Sequence, residues 1–591
     1  VELPLSDLVC IAQFGDPIYP KLIPIDKVEN APDSSLWHTL IEADNYHALQ
    51  LLEYLYAGKV DCIYIDPPYN TGARDWKYNN DYVDSTDAYR HSKWLSMMEK
   101  RLRIAKRLLN PKDSVLIVTI DEKEYLHLGC LLEEMFPEAR MQMVTCVISS
   151  QGSTRDNLFS RADEYIFFIF MGKAGVAKSE DDMLNEGQSE SKSQLWFQFV
   201  RTGKGNLRTD SPHLFYPIYA NLQLGKILSI GEPIPIGVPK ESVPVPEGQA
   251  IIWPITADGR EARWRTGTEV AKSGWSVLTV NQGTENRIDS GEIIVEGYDE
   301  TGAALLKNTH GSSLRAPKTV WNKVSHNAGW HGSKLLAKFL PGIKFPYPKS
   351  LYSTEDALKI VTKEKKNALI LDFFAGSGTT LHAVNLLNAE DGGHRRCILI
   401  TNNEVSDDEA KVLTKRGYHP GDEEWERLGI ACYVTWPRTV CSIEGHDING
   451  KPLKGSYIGS DIPMSDGFKT NCEYFKLGFL DKNEVALGRQ FKEMLPLLWM
   501  KAGAIGKRPD IGSDKVPDMM ILSKNRFAVL AEESKYLEFE QQLEGHPEIA
   551  TAFIITDSEN AYREIISGLK IQNTYQLYRD YLDNFRINGR R

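Results

Sequence analysis

Two short apolar runs, each ending in a loop rich in chemistry, constrain what this chain can fold into more than any other feature. Cys62 to Ile65 leads into Asp66-Pro67-Pro68-Tyr69, and Ala368 to Leu371 leads into Asp372-Phe373-Phe374-Ala375-Gly376-Ser377-Gly378. Both runs have the length and apolarity of buried strands. In an open α/β sheet, ligands bind outside the carboxyl ends of such strands, so each loop is a candidate half of a site.

The first loop is stiff. Two consecutive prolines remove two backbone donors, leaving the Asp66 carboxylate, exposed carbonyls and the Tyr69 ring in fixed relation. That set suits a flat molecule carrying an amino group: Tyr69 stacks on the ring, while Asp66 and the Pro67 carbonyl each accept one N–H. A strand-end turn closed by an incidental Asp is the alternative reading of the tetrapeptide alone. The second loop is a glycine turn between a strand and a helix start, where the missing Cβ lets backbone N–H groups approach a ligand. Leu381 stands where the third glycine of a dinucleotide fingerprint would fall, which argues against a nicotinamide or flavin. A further strand, Cys397 to Thr401, ends in Asn402-Asn403-Glu404, placing Glu404 26 residues beyond Gly378. That offset suits a carboxylate meeting ribose hydroxyls, and the pair favours an adenosine with a small charged appendage. The chain has no G-x-x-x-x-G-K-[ST] and hence no signature of an ATP-driven motor.

The 591 residues allow several domains, and 42% hydrophobic with 25% charged residues is an ordinary globular composition. The formal net charge of −11 speaks against bulk electrostatic coating of nucleic acid, so any DNA contact must come from a local basic surface. The eight cysteines are scattered without a C-x-x-C pair, which indicates neither a disulfide framework nor a zinc site. No window approaches a bilayer span, and the first residues lack a basic leader, so a cytoplasmic protein without membrane attachment is expected. In chain order the expectation is an N-terminal arm over 1–36 and an α/β half over 37–172. An inserted β-rich unit rich in Gly, Pro and Ser follows over 173–310, then a second α/β half over 311–440 and a helical connector over 441–514. A C-terminal α/β accessory module over 515–591 completes the chain. Residues 73–92, with Trp76, Tyr78, Tyr82 and Tyr89, read as a flap or a surface loop. In the insert, Arg201, Lys204, Arg208, Arg260, Arg263 and Arg265 interleave with Trp253 and Trp264, a mixture able to touch phosphates and base edges or equally a solvated loop surface.

Asp66-Pro67-Pro68-Tyr69 resembles the catalytic tetrapeptide of S-adenosylmethionine-dependent DNA amino-methyltransferases, and Asp372 to Gly378 resembles their cofactor loop. The catalytic motif precedes the cofactor loop by 306 residues, as in the circularly permuted β group, and the text is most similar to modification subunits of type III restriction systems and related phage-defence adenine methylases. Thr119-Ile120-Asp121, Asp163-Glu164-Tyr165, Pro346-Tyr347-Pro348-Lys349 and Asn403-Glu404 add to the match. The resemblance implies a Rossmann-like class I methyltransferase sheet, permuted, with the insert serving as target-recognition domain. It implies S-adenosylmethionine as cofactor, double-stranded DNA as substrate, no catalytic metal, and a restriction or helicase-type protein partner, with a homodimer as an option. By residue, it gives Asp66, Pro67, Pro68 and Tyr69 to catalysis. Asp372, Phe373, Phe374, Ala375, Gly376, Ser377 and Gly378 form the cofactor loop, with Asp372 on the cofactor's amine. Glu404 takes the ribose, Lys349 and Phe345 give neighbouring support, and Asp44 is a weaker candidate. Asp at the first motif position favours adenine over cytosine.

Three functions are therefore weighed: a site-specific adenine methyltransferase, a single-chain methyltransferase-nuclease, and a non-catalytic DNA-recognition subunit of a defence complex. The nuclease reading rests on Pro517-Asp518 followed by Glu533-Ser534-Lys535, in the order of a P-D…E-x-K metal-dependent site, a loose pattern that arises often by chance.

Overall fold

A computed structural model describes residues 19–588 except 72, 79–80, 85, 154–156, 180, 185–195, 199, 202, 222–225, 257–258, 265–266, 269–277, 281–292, 299–303, 309–315, 481–490 and 513–516. Its spine is a ten-stranded mixed sheet. In chain order its strands are β1 (Tyr19–Glu29), β2 (Trp37–Glu42), β3 (Cys62–Ile65), β4 (Asp113–Ile120), β5 (Arg140–Val147), β6 (Asp163–Gly172), β7 (Val320–Trp321), β8 (Leu369–Asp372), β9 (Arg396–Thr401) and β10 (Asn471–Leu480). In space the order is β1-β10-β2-β9-β8-β3-β4-β6-β5-β7. From β10 to β4 neighbouring strands run parallel, while β1 and β6 enter antiparallel. The α/β class is as expected, and so is the permutation: β3 precedes β8 in the chain and lies beside it in the sheet, with Ile370 opposite Cys62 and Leu371 opposite Ile63.

The central strands are apolar throughout because helices cover both faces. All residues of β3 and β9 are buried. Helix α1 (Asn45–Tyr56) starts where the Asp44 carboxylate accepts the Tyr46 N–H, and it buries Ala48, Leu49, Leu51, Leu52 and Leu55. Helix α2 (Arg90–Leu108) turns Trp94, Met98, Leu102, Ala105 and Leu108 inward at helical spacing and leaves Lys100, Arg103 and Arg107 exposed. Each of these fully buried aliphatic side chains contributes about 1.5–3 kcal/mol relative to exposure. Helix α3 (Tyr125–Met135) follows β4, α4 (Leu351–Thr362) precedes β8, α5 (Thr379–Asp391) leaves the glycine turn, and α6 (Trp436–Glu444) packs near that turn.

Three stretches differ from their sequence reading. Residues 19–29, read as part of an arm, form an edge strand pairing antiparallel with β10. Residues 471–480, read within a helical connector, are β10 itself, buried between β1 and β2. Its alternation of apolar and polar residues was outweighed by the helical text around Leu495 to Trp499, which does form helix α7 (Phe491–Lys501). The third stretch, 73–84, is an antiparallel hairpin of Ala73–Tyr78 and Asp81–Asp84. The side chains of Trp76, Tyr78 and Tyr82 lie outside the described residues, and Tyr89 is exposed at the start of α2.

The C-terminal residues carry a second, four-stranded sheet, Met519–Leu522, Phe527–Leu530, Thr551–Ile555 and Asn573–Leu577. Its Phe527, Val529, Phe553 and Leu577 join the same hydrophobic cluster as Tyr19, Trp37 and Leu52. The Tyr581 hydroxyl donates to the Pro20 carbonyl at 2.7 Å.

Ser179–Arg315 form a separate compact unit built on a seven-stranded sheet. Within it, Arg208 is a structural residue. Its guanidinium pairs with Glu261 at 2.7 Å, donates to the carbonyls of Ile234, Pro235 and Val238, and lies 4.2 Å from the Phe215 ring centre. Trp264 is buried and donates to Tyr216 O, and Trp253 stacks on Phe215. Arg201, Lys204 and Arg260 are exposed, whereas Arg265 lies outside the described residues.

Candidate functional site

Because β3 and β8 are adjacent and parallel, their loops open at the same sheet edge, and Asp66 and Asp372 face one neighbourhood. Asp66 is held through Oδ1, which accepts from Thr119 Oγ1 at 2.6 Å and lies 3.2 Å from Lys349 Nζ. A quarter of its side chain (26%) remains exposed, enough for contact with an incoming group. Burial raises its carboxyl above the usual Asp range; Lys349 opposes the rise and Glu164 adds to it. The loop itself is clamped: Trp94 Nε1 donates to Pro68 O at 2.7 Å, and Asn70 adopts a left-handed φ of 55° while its amide donates to Arg90 O.

Lys349 joins the two acids. Its ammonium sits 2.6 Å from Glu164 Oε2, contacts the Tyr69 hydroxyl, and lies 4.3 Å from the Tyr69 ring centre. Tyr69 also donates to Glu164 at 3.1 Å. Burial disfavours the Lys349 ammonium, but Asp66 and Glu164 outweigh it and hold its pKa above the ordinary lysine value. Lys349 was read as support for the cofactor loop; the structure puts it in the Asp66 cluster instead. Phe345 is the residue that meets the glycine turn, its ring 3.4 Å from where a Cβ on Gly376 would stand.

The glycine turn runs from the end of β8 into α5. Gly376 and Gly378 both have positive φ (48° and 79°), and a Cβ at Gly378 would stand 3.2 Å from Thr435 Cγ2. Asp372 organises the turn, accepting from Phe374 N at 2.9 Å and Thr380 Oγ1 at 2.5 Å, and burial pushes its carboxyl up to about 7 against those bonds. Thr435 Oγ1 donates to Gly376 O at 2.6 Å. Arg438, fully buried, donates to the Ser377 and Thr379 hydroxyls at 2.9 and 2.8 Å, and burial lowers its guanidinium to about 10. Glu404 stands just past the end of β9, the strand next to β8, with its carbonyl accepting Ile430 N. Asp44 is the cap of α1 and pairs with Arg101 at 3.5 Å; the reach to the cofactor loop comes from its neighbour, since Asn45 Nδ2 donates to Phe373 O at 2.8 Å.

Thr119, Glu164, Asn45, Thr435 and Arg438 thus act at the site without having been assigned a role from sequence. Thr119 and Glu164 lay inside matched motifs, on antiparallel β4 and β6, but their reach to Asp66 and Lys349 is a tertiary fact. No local pattern marks Arg438.

An acid and an aromatic on one strand end, beside a glycine turn and a second acid on the next, define a site for group transfer from a nucleoside-type donor to an amine. A family model described as DNA methylase, of the N6/N4 type, matches residues 60–462. The chain belongs to the DNA methylase family. It is 29% identical over 397 residues to the type II methyltransferase M.KpnI of Klebsiella pneumoniae, covering 64% of this chain and 84% of that protein. It is 30% identical over 418 residues to the type III restriction-modification enzyme EcoPI Mod subunit of Escherichia phage P1, covering 65% of this chain and 60% of the subunit. The chain therefore spans less than two thirds of that Mod subunit. A crystal structure titled M1.HpyAVI-SAM complex covers 64% of this chain and 99% of its own at 13% identity and a TM-score of 0.25.

The family's methyl donor is S-adenosylmethionine, and the residues at the β8 edge fit it. Asp372 offers a carboxylate at the end of β8, the glycine turn with Phe345 forms a cradle that added side chains would crowd, and Glu404 stands just past the end of the neighbouring β9. No helix among the described residues is long and apolar enough to cross a membrane.

The two halves of the nuclease pattern lie side by side at the C-terminal sheet. Glu533–Lys535 form a short 3-10 turn rather than a strand, and Lys535 pairs with Glu538 at 3.1 Å. The Asp518 backbone carbonyl accepts the Ala531 and Glu532 N–H groups, which sets Asp518 beside the start of that turn.

Proposed function

We propose that this chain methylates the exocyclic amine of adenine at specific sites in double-stranded DNA, as the modification component of a restriction or phage-defence system. The observation that carries the reading is the Asp66 carboxylate, gripped through one oxygen, partly open, and set beside the Tyr69 ring at the sheet edge shared with the glycine turn.

The amine of adenine is a weak nucleophile because its lone pair is delocalised into the ring. Two acceptors, Asp66 and the Pro67 carbonyl, hold its N–H bonds and favour a pyramidal nitrogen, so the protein's contribution is orientation and electrostatics. S-adenosylmethionine, when bound, supplies an electrophilic methyl group. As the nitrogen gains its new carbon it must release a proton, and Asp66, whose burial raises its proton affinity, is the nearest acceptor. An amine paired inside a duplex is out of reach, so the base leaves the stack at a cost of a few kcal/mol, offset by the Tyr69 ring and the acceptors. Lys349 fixes both acids and the Tyr69 hydroxyl, presenting the loop in one arrangement. The exposed Arg201, Lys204 and Arg260 of the Ser179–Arg315 unit are candidates for phosphate contact, which suits target recognition by that unit.

Relatives named as Mod subunits of type III restriction-modification enzymes support a cytoplasmic role alongside a restriction partner. The direct test is Asp66→Ala: methylation of duplex DNA is abolished while S-adenosylmethionine still binds by calorimetry. An active variant refutes the assignment, and a wild-type chain that binds DNA but no cofactor turns the reading to a recognition subunit.

A further inference from the structure

His91, Glu124 and His127 stand together immediately behind the catalytic loop. Glu124 is the residue before α3, His127 is one turn further along the same face, and His91 opens α2. One ligand atom from each of the three lies within 4.8 Å of the others, and the two imidazole rings are 4.8 Å apart. Donors of a tetrahedral zinc site at ordinary bond lengths are about 3.4 Å apart, a distance that small rotations of the exposed His127 and half-exposed His91 can reach.

Glu124 carries the argument beyond proximity. Its side chain is completely buried, which is costly for a carboxylate unless a cation answers it. Oε1 takes Asn70 Nδ2 and His91 Nδ1, each at 2.5 Å, but Oε2 is buried with no hydrogen-bond partner among the described residues. A buried carboxylate with unused lone pairs on one oxygen, clustered with two imidazoles, is a donor set for a divalent metal, and Asn70 holds that carboxylate from behind.

We propose that His91, Glu124 and His127 bind one divalent transition-metal ion, zinc or a neighbour in its series, through two imidazole nitrogens and one carboxylate oxygen, with water completing the shell. Coordination through His91 Nδ1 leaves the ring proton on Nε2 and turns Arg90 away, whose Nε now donates to that nitrogen at 3.3 Å. The ion is structural toward the reaction. It ties the start of α2 to the start of α3 and, through Glu124 and Asn70, pins the loop that ends the Asp66–Tyr69 tetrapeptide. Trp94, three residues after His91, already holds Pro68 O from the same helix. The metal site thereby stiffens the amine-binding loop from behind.

The test uses the full chain freed of metal by a chelator, titrated with cobalt(II) as a visible probe and then with zinc. One equivalent of cobalt with ligand-field absorption, displaced by zinc, is expected. His127→Ala, at an exposed position that leaves the fold intact by circular dichroism, weakens cobalt binding by more than about tenfold. Zinc slows amide exchange over residues 66–71 of the wild-type chain and leaves that of His127→Ala unchanged. A featureless titration, or cobalt bands that persist in His127→Ala, overturns the proposal and leaves Glu124 as an ion-pair partner of His91.

Discussion

Lys349→Met tests the electrostatic centre of the site directly. The substitution keeps most of the side-chain volume and removes one positive charge from between two carboxylates, 2.6 Å from Glu164 and 3.2 Å from Asp66. Lys349 and Glu164 are each 13% exposed and Asp66 26%. Removing one partner of a fully buried ion pair costs about 3–5 kcal/mol. With partial access of water to Asp66, about 2–3 kcal/mol is expected here. The two acids then face each other with Thr119, Tyr69 and Arg161 left among the described residues to moderate them. Adding Glu164→Gln removes that repulsion, so the double variant regains part of the loss, with a coupling of about 1–2 kcal/mol in a double-mutant cycle read by urea unfolding at neutral pH. The same change moves the chemistry. Asp66 accepts N–H bonds as a carboxylate, so methylation falls as pH drops through its folded pKa, already raised by burial. Without Lys349 that pKa climbs, and the acid limb of the rate profile begins at higher pH. Strictly additive single and double variants, together with an unmoved acid limb, would falsify the assignment of Lys349 to the Asp66 cluster.

Two other predictions concern the glycine turn. Burial pushes Asp372 to about 7, so its ionised form is scarce below that value. Affinity for S-adenosylmethionine therefore weakens by up to about tenfold per pH unit as pH falls below 7, and Asp372→Asn flattens the curve; an affinity constant from pH 5 to 7 in the wild-type chain contradicts the role. The stability contribution of the same group has the opposite sense: a raised carboxyl pKa favours the fold when protonated, and that stability is lost as pH rises from about 4 to about 7. Gly378→Ala forces an alanine to φ 79° with its Cβ 3.2 Å from Thr435, which costs about 1–2 kcal/mol and shifts the turn. Thermal unfolding with and without cofactor reads both effects, and a variant that melts and binds like wild type removes the turn from the site.

Sequence alone exposed the parts of this molecule where chemistry and secondary structure coincide. Asp66-Pro67-Pro68-Tyr69 and Asp372–Gly378 each sit where a buried strand ends, so local apolarity located them and loop composition told what they offer. Their adjacency followed from topology, because parallel strands of one sheet present their ends together. The network around them was not legible. Lys349 reaches Glu164 across 185 residues, Asn45 reaches Phe373 across 328, and Arg438 reaches Ser377 across 61, none of which leaves a periodic trace. Asp44, a weaker candidate from sequence, caps α1, and its neighbour Asn45, to which sequence gave no role, is the residue that donates to Phe373 O. Arg208 and Trp264 illustrate the converse: residue types suited to nucleic acid are spent on holding their own unit together. In the chain beyond residue 440, β10 was hidden because its partners, β1 and β2, lie more than 400 residues away.

That long-range pairing sets where the molecule can be cut. The stretch shared with the family ends at residue 462, nine residues short of β10, yet β2 is an interior strand only because β10 covers one of its rims. A fragment trimmed to the shared stretch, 60–462, would lose β2 together with β10 and leave the backbone groups of Arg396 to Thr401 unpaired along a flat, largely apolar border, the kind of exposed edge that recruits other chains into aggregates. The residues outside the shared stretch are thus the selvedge of the catalytic sheet, woven in from both directions.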